Sequence, residues 1–325
     1  MKFARRHFLR LAASTVALPA VLRQAWAEAY PSRPVHIIVG FAPGGPADIV
    51  ARLTGQRLAE QLGQPFIIEN RPGAGSSIAA EAVVKAAPDG YTLLLITNAH
   101  AVNASFYKKL NFNFIRDIAP VAGIDREPLV MLVPPSFPAK TVPEFIAYAK
   151  VNAGQLNMGS AGNGTLAHVA GELFNLMAGV NLVHVPYRGG APALTELMAG
   201  RVQVVFNPMA GTVEHIRAGT LRALAVTTAT RSEALPDLPP MRDFLPGYES
   251  SVWFGVGAPR DTPADIIEKL NREISASLAD AKIRTRLADW GGAPLAVSAA
   301  DFGKLIADET EKWANVIKLA NIKLE

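Results

Sequence analysis

The sequence predicts an α/β protein of two lobes, each a mostly parallel sheet flanked by helices, with one lobe inserted into the other. Short apolar, β-branched runs alternate with stretches of helical periodicity along most of the chain. The alternation breaks near residues 125–128 and then restarts. A late apolar run at 252–258 leads back toward the first half.

The first 27 residues read as an export signal. Lys2, Arg5, Arg6 and Arg10 surround the start of an apolar stretch at 11–22, and Ala25-Trp26-Ala27 supplies the small-residue pattern that a signal peptidase cleaves. The apolar run is shorter than the roughly 20 residues of a spanning helix and carries Ser14 and Pro19, which argues against a membrane anchor. Arg5-Arg6 followed by His7, Phe8 and Leu9 resembles a twin-arginine signal, whereas Ala4 stands where such signals usually carry Ser or Thr; both export routes stay open. Cleavage after Ala27 removes five basic residues and no acidic one, leaving 27 Lys+Arg against 28 Asp+Glu. The high calculated pI thus belongs to the signal and gives no support to a nucleic-acid or polyanion partner. Zero cysteines exclude disulfides and thiolate metal sites, a composition compatible with the periplasm.

The elements then follow in order. Residues 35–41 form a strand that ends in the turn Ala42-Pro43-Gly44-Gly45, and Ile49, Leu53 and Leu58 mark a helix over 47–62. A strand at 66–69, a helix at 77–86 and a buried strand at 92–97, bounded by Asp89-Gly90 and Asn98, complete the first alternation. Residues 121–133 hold two apolar runs broken at 125–128, where the chain is expected to cross into the second lobe. There the pattern gives a helix at 142–151, strand 156–159, helix 166–178, strand 182–185, helix 191–200, strand 202–206, a short helix at 212–218 and strand 223–227. The Pro-rich stretch 235–246 reads as a surface loop, and strand 252–258 returns to the first lobe. Helices at 263–278, 282–290 and 299–320 finish the chain, the last with Phe302, Ile306, Trp313 and Ile317 near helical spacing. The lobes are therefore expected at 28–127 with 253–325, and at 128–252.

Two such lobes joined by more than one crossing segment leave a crevice where strand-end loops meet, which is a ligand site by architecture. The loop Gly44, Gly45, Pro46, Ala47 and Asp48 precedes a helix, where unpaired backbone N–H groups favour an anion; an ordinary tight turn explains it equally. A second loop of the same kind is Ser160, Ala161, Gly162, Asn163, Gly164 and Thr165, with two added hydroxyls. Together they form a pocket of neutral donors suited to a carboxylate. Asn98, His100, Tyr187, Arg188 and Asn207 follow other strands and are candidates for the same crevice, Arg188 being either a countercharge or a solvated arginine. His100 reads either as a strand-end polar residue or as a ligand contact, His168 as a packed helix-start residue, and Trp253 as core.

Two enzymatic readings fail on these loops. Gly162, Gly164 and Ala167 satisfy G-x-G-x-x-A, but no acidic residue lies about 20 positions on to meet a ribose, so no cofactor is expected. Ser160 has Met158 where a nucleophile elbow needs glycine, and no persuasive acid and histidine follow. No zinc-type spacing surrounds His100 or His168, so no metal is expected either.

Several long stretches in one order resemble the Bug family, the solute-binding components of tripartite tricarboxylate transporters: "PSRPVHIIVGFAPGGPADIVAR", "IENRPGAG", "PDGYTLLL", "GSAGNGTLAHVAGELF", "VPYRGGAPALTELMAGRVQVVF", "LRALAVTT" with "LPDLPPM", and "GYESSVWFGVGAP". The resemblance covers essentially all of the chain after the signal. It implies a periplasmic-binding-protein-like clamp (type II, Venus flytrap), with a carboxylate held by loop backbone, hydroxyls and ordered waters, and delivery to a two-subunit membrane permease. Carried onto this chain, the contacts are Gly44 to Asp48, Thr97 to His100, Ser160 to Thr165, Tyr187 to Ala191 including Gly189, and Asn207. The stretch "TNAHAVNASFY" departs from the family's usual Ser before the His region and Pro after the Asn.

The expected function is reversible capture of a small mono- or dicarboxylate, aliphatic or aromatic, in the periplasm by a monomeric protein that is not an enzyme. An enzyme on the same fold and a periplasmic sensor for a signalling receptor are the alternatives. Turnover of a bound carboxylate separates the first, and ligand-dependent binding to a receptor ectodomain the second. Ser160→Ala is expected to weaken binding without unfolding the protein, checked by titration with an identified cargo.

Overall fold

The computed structural model describes residues 30–106, 110–319 and 322; the export signal read at 1–27 lies outside them. From Arg33 onward the chain forms one compact unit. Its first part runs β1 (Val35–Val39), α1 (Pro46–Leu62), β2 (Phe66–Asn70), α2 (Ser77–Val84), β3 (Thr92–Thr97), α3 (Asn98–Phe106) and α4 (Phe114–Asp117). A long strand β4 (Ile118–Val133) leads into α5 (Val142–Val151), β5 (Asn157–Ser160), α6 (Leu166–Ala178), β6 (Val183–Pro186), α7 (Gly190–Met198), β7 (Val204–Pro208), α8 (Val213–Arg217) and β8 (Arg222–Val226). The chain returns through β9 (Ser251–Pro259) to α9 (Ala264–Ala279), α10 (Ala281–Asp289), β10 (Ala293–Pro294) and α11 (Ala299–Leu319).

Local chemistry explains the boundaries that matter for the site. Helix α1 begins with Pro46, whose missing N–H is no loss in a first turn, and stops at Gly63 in the left-handed region, where the Gly63 N–H reaches Ala59 O. Helix α6 starts at Thr165, whose Oγ1 accepts from the His168 N–H, and ends at left-handed Gly179.

The strands form a continuous sheet in the order β2-β1-β3-β9-β4-β7-β5-β6, with β8 and β10 also paired to β4. Two parallel triples, β2-β1-β3 and β7-β5-β6, keep the strand–helix–strand units read from the sequence. Between them β9 is antiparallel to both β3 and β4, and β4 is antiparallel to β7 and β8, so the sheet is mixed. All nine residues of β9 are buried, which is why it reads as an unbroken apolar run.

The expected break at 125–128 is instead the middle of β4. Asp125 and Glu127 lie inside the protein, and the register against β9 continues to Pro128 opposite Ser251. The charges misled because an acidic pair in an apolar run normally marks exposure, whereas here the Glu127 carboxyl accepts from the Ala210 N–H at 2.6 Å. Beyond Pro128 the same strand pairs with β7 and β8. Thr227 staples this passage: its N–H donates to Leu129 O, its Oγ1 accepts from the Leu129 N–H and donates to Ser250 O, and its carbonyl accepts from the Ser250 N–H. The Pro-rich stretch is also not wholly a surface loop, since Met241 and Leu245 pack with Tyr248.

Three apolar cores surround the passage. One gathers Met131, Phe145, Met158, Phe174, Phe206 and Tyr248; a second, on the alternate residues of the same strands, gathers Val130, Leu132, Leu194, Val205 and Met209; a third gathers Ile38, Leu94, Ile96, Trp253, Phe302 and Ile306.

Candidate functional site

The strand-end loops of β1, β3, β5 and β6 each open a helix, and the four helices α1, α3, α6 and α7 all present their first residues to one half-open cavity of about 50 Å³. Gly45, Pro46 and Ala47 come from α1, Asn98 and Ala99 from α3, Thr165, Leu166 and Ala167 from α6, and Gly190 from α7. Phe41, Thr97, Leu129, Ala161, Asn207, Pro208, Val252 and Phe254 complete the lining. First-turn N–H groups have no intrahelical acceptor, and each helix start carries a partial positive charge of roughly half a unit. No charged side chain lines the cavity.

Asp48 belongs to the α1 loop but is turned into it. Its carboxylate accepts from Gly44 N (2.9 Å), Arg52 Nε (2.8 Å) and Asn70 Nδ2 (3.0 Å). Burial pushes its pKa up, and these hydrogen bonds outweigh burial to hold it below the ordinary carboxylate value. Asn70 also donates to Phe41 O, so the group fixes the loop from beneath.

Asn98 lines the cavity yet its amide is spent on the scaffold: Nδ2 donates to Glu309 and to Ser251 O, and Oδ1 accepts from Trp253 N. His100 sits on α3, a helix absent from the sequence expectations, and points away from the cavity. Its Nδ1 accepts from Thr97 N at 3.0 Å, which leaves the proton on Nε2 to donate to Ser76 Oγ, also at 3.0 Å. Burial lowers its pKa to about 4, so it is a neutral brace.

In the loop after β5, Ala161 and Thr165 line the cavity. Thr165 Oγ1 donates to Gly162 O at 2.7 Å. Ser160 is fully buried below the loop, accepting from Gly162 N at 3.1 Å and lying 2.6 Å from Nε2 of His184 on β6. His184 stacks on His168 with ring centroids 3.9 Å apart. Burial lowers His184 to about 4, and burial followed by the neighbouring His184 lowers His168 to about 3; both rings are neutral near pH 7. Glu172, four residues after His168, has an oxygen 4.0 Å from its Nε2.

Loops from opposite sides of the cavity touch. The Ala42 N–H donates to Arg188 O at 2.8 Å. A Cβ at Gly190 would lie 2.6 Å from Asn207 Oδ1 and 3.1 Å from Pro46, and one at Gly75 would collide with Asn163 O. Glycine lets backbone meet backbone at Gly75, and lets the backbone meet the Asn207 amide and the Pro46 ring at Gly190.

Of the residues singled out in the sequence, Gly45, Pro46, Ala47, Thr97, Asn98, Ala161, Thr165 and Asn207 meet at the cavity. Gly44, Asp48, His100, Ser160, Gly164, Gly189 and Ala191 do not line it; they shape its walls from behind or beside. Gly162, Asn163, Tyr187 and Arg188 line a larger neighbouring cavity of about 520 Å³ against residues 72–76, and Arg188 is exposed there. Sequence reasoning missed Phe41, Leu129, Pro208, Val252 and Phe254, because an apolar strand residue facing a cavity has the same local pattern as one facing the core. It also missed Gly190, although the glycine pair in "YRGG" is the signal for a close approach. Among the described residues no cluster of three or more His, Cys, Asp or Glu is placed to hold a metal, and no helix is long and apolar enough to cross a membrane.

Residues 50–322 match the family model described as "Tripartite tricarboxylate transporter family receptor". The chain is 36% identical over 302 residues to Protein BugT of Bordetella pertussis, covering 92% of this chain and 93% of BugT. Among solved structures it is similar to an R. palustris protein with adipate (38% identity, TM-score 0.88, covering 90% of this chain and 99% of that one). It is also similar to MatC from Rhodopseudomonas palustris with bound malate (35% identity, TM-score 0.85, covering 89% and 100%).

Proposed function

This chain belongs to the tripartite tricarboxylate transporter receptor family, a family of solute-binding proteins, and on that premise we propose that it captures a small organic carboxylate in the cavity at the four helix starts. The observation that carries this reading is the convergence of α1, α3, α6 and α7 on a cavity without a charged side chain. Backbone dipoles neutralise an anion there without a desolvated countercharge, so the ligand leaves when the loops part. In this reading Ala47, Thr97, Ala99, Thr165, Ala167, Gly190 and Asn207 face the ligand. Asp48, His100 and Ser160 hold the loops that do so.

The same reading divides the protein into lobes at 28–127 with 253–325 and at 128–252. The separation of the core around Trp253 and Phe302 from the two cores around Phe206 and Val205 supports it. The lobes close around the ligand, the Ala42–Arg188 contact forms on closure, and the Thr227 staple marks the hinge. The protein acts in the periplasm after loss of residues 1–27, as a monomer that presents its cargo to a two-subunit membrane permease. It performs no chemistry on that cargo: Ser160 is sealed below its loop and no acid–base pair faces the cavity.

The test is calorimetric titration and thermal shift with carboxylates, including adipate and malate, each beside its uncharged amide. A ligand at one hundred times its Kd stabilises the fold by about 2.7 kcal/mol. Binding of acids but not amides, with the acid recovered unaltered, is expected; equal binding of the amides, or turnover of the acid, refutes the reading.

A further inference from the structure

We infer that the cargo is a compact monocarboxylate with an apolar body rather than a di- or tricarboxylate. This rests on the carboxylate reading above and specifies the rest of the ligand. A water needs about 10–15 Å³ on the same measure, so the half-open space of about 50 Å³ between the helix starts takes roughly four waters, room for about five to seven non-hydrogen atoms of a ligand.

The lining is also uneven in chemistry. The helix starts supply the N–H groups, whereas the crossing strands supply Leu129, Val252 and Phe254. A second carboxylate against those side chains meets no cation, and the Thr97 hydroxyl beside Phe254 is a neutral donor only. The nearby guanidinium groups are committed or elsewhere: Arg52 is paired with Asp48, Arg126 donates to Ser251 Oγ at 2.9 Å, and Arg188 lines the neighbouring cavity.

Asn207 adds an independent constraint. It is buried and lines the cavity, its Nδ2 faces Pro208 O at 3.4 Å, and its Oδ1 has no partner. An unpaired acceptor repels a carboxylate oxygen and suits a neutral donor such as a hydroxyl. The absence of any carboxylate from the lining likewise disfavours a zwitterionic amino acid, whose ammonium needs a counter-anion.

The experiment is calorimetric titration of the full-length exported protein with three- to five-carbon monocarboxylates such as isobutyrate and 2-hydroxyisobutyrate. Succinate, malate and adipate are titrated in parallel, with isobutyramide as the uncharged control. At least one compact monocarboxylate is expected to bind tenfold or more tighter than every dicarboxylate. Dicarboxylates binding equally well or better, with the amide silent, overturn this inference and leave carboxylate capture standing. Binding by neither class of acid, or equal binding by the amide, overturns both.

Discussion

The Asp48 carboxylate lies in the loop that opens α1, where an unshielded negative charge would repel the anion that the helix start attracts. Gly44 N, Asn70 Nδ2 and the Arg52 guanidinium absorb it, so the carboxylate is spent on bracing the loop. Asp48→Asn removes a buried, charge-assisted network and is expected to lower stability by about 2 kcal/mol in urea unfolding. Ser160→Ala, expected from the sequence to weaken binding, now has a mechanism: the Gly162 N–H and His184 lose their partner, the loop shifts, and affinity falls while the fold persists. Asn207→Asp is nearly isosteric and places a negative charge in the otherwise uncharged cavity wall. Carboxylate affinity should drop by at least tenfold, about 1.4 kcal/mol in a titration, with the native circular dichroism spectrum retained.

At the scale of elements, the site is a meeting of helix starts, and their closeness depends on glycine. Gly190 opens α7 against Asn207 and Pro46, and a methyl group there prevents the loops from seating. Gly190→Ala is therefore expected to reduce affinity roughly tenfold or more while the ligand-free melting temperature changes little, because overpacking of this contact bears on the closed arrangement. Loss of melting temperature without loss of affinity would place the strain in the fold instead. Strand β4 is the other decisive element. It pairs with β9 up to Pro128 and with β7 and β8 from Leu129 onward, so a single strand belongs to both halves of the sheet.

For the whole molecule, buried ionisable groups set opposing pH trends. Burial lifts Asp125 to about 7, and burial with the adjacent Asp125 charge lifts Glu127. The folded state binds these protons more tightly than the unfolded chain, so their stabilisation is full below about pH 4 and is lost as pH rises through 7. His100 and His184, lowered to about 4, and His168, lowered to about 3, act the other way: their contribution is full above the ordinary value near 6.5 and is lost as pH falls through 4. Melting curves of Asp125→Asn and the parent at pH 5 and pH 8 check the acidic half. The variant's advantage should be larger at pH 8, and a pH-independent difference would contradict the assignment.

The amino-acid sequence by itself determined the alternation of strands and helices, the two glycine-bearing loops and the return of the chain at 252–258, because period, turn chemistry and helix caps are local properties. Its long ordered motifs also determined the family. Tertiary structure decided which side of each loop meets the cavity. Asp48, His100 and Ser160 have the residue types of a binding site but spend their polar atoms on neighbours distant in sequence, while Phe41, Leu129, Val252 and Phe254 look like core and line the cavity. It also decided that Asp125 and Glu127 lie within a strand rather than at a break. Burial of a charge depends on groups supplied from elsewhere in the chain, such as the Ala210 N–H on Glu127, and no local pattern encodes that.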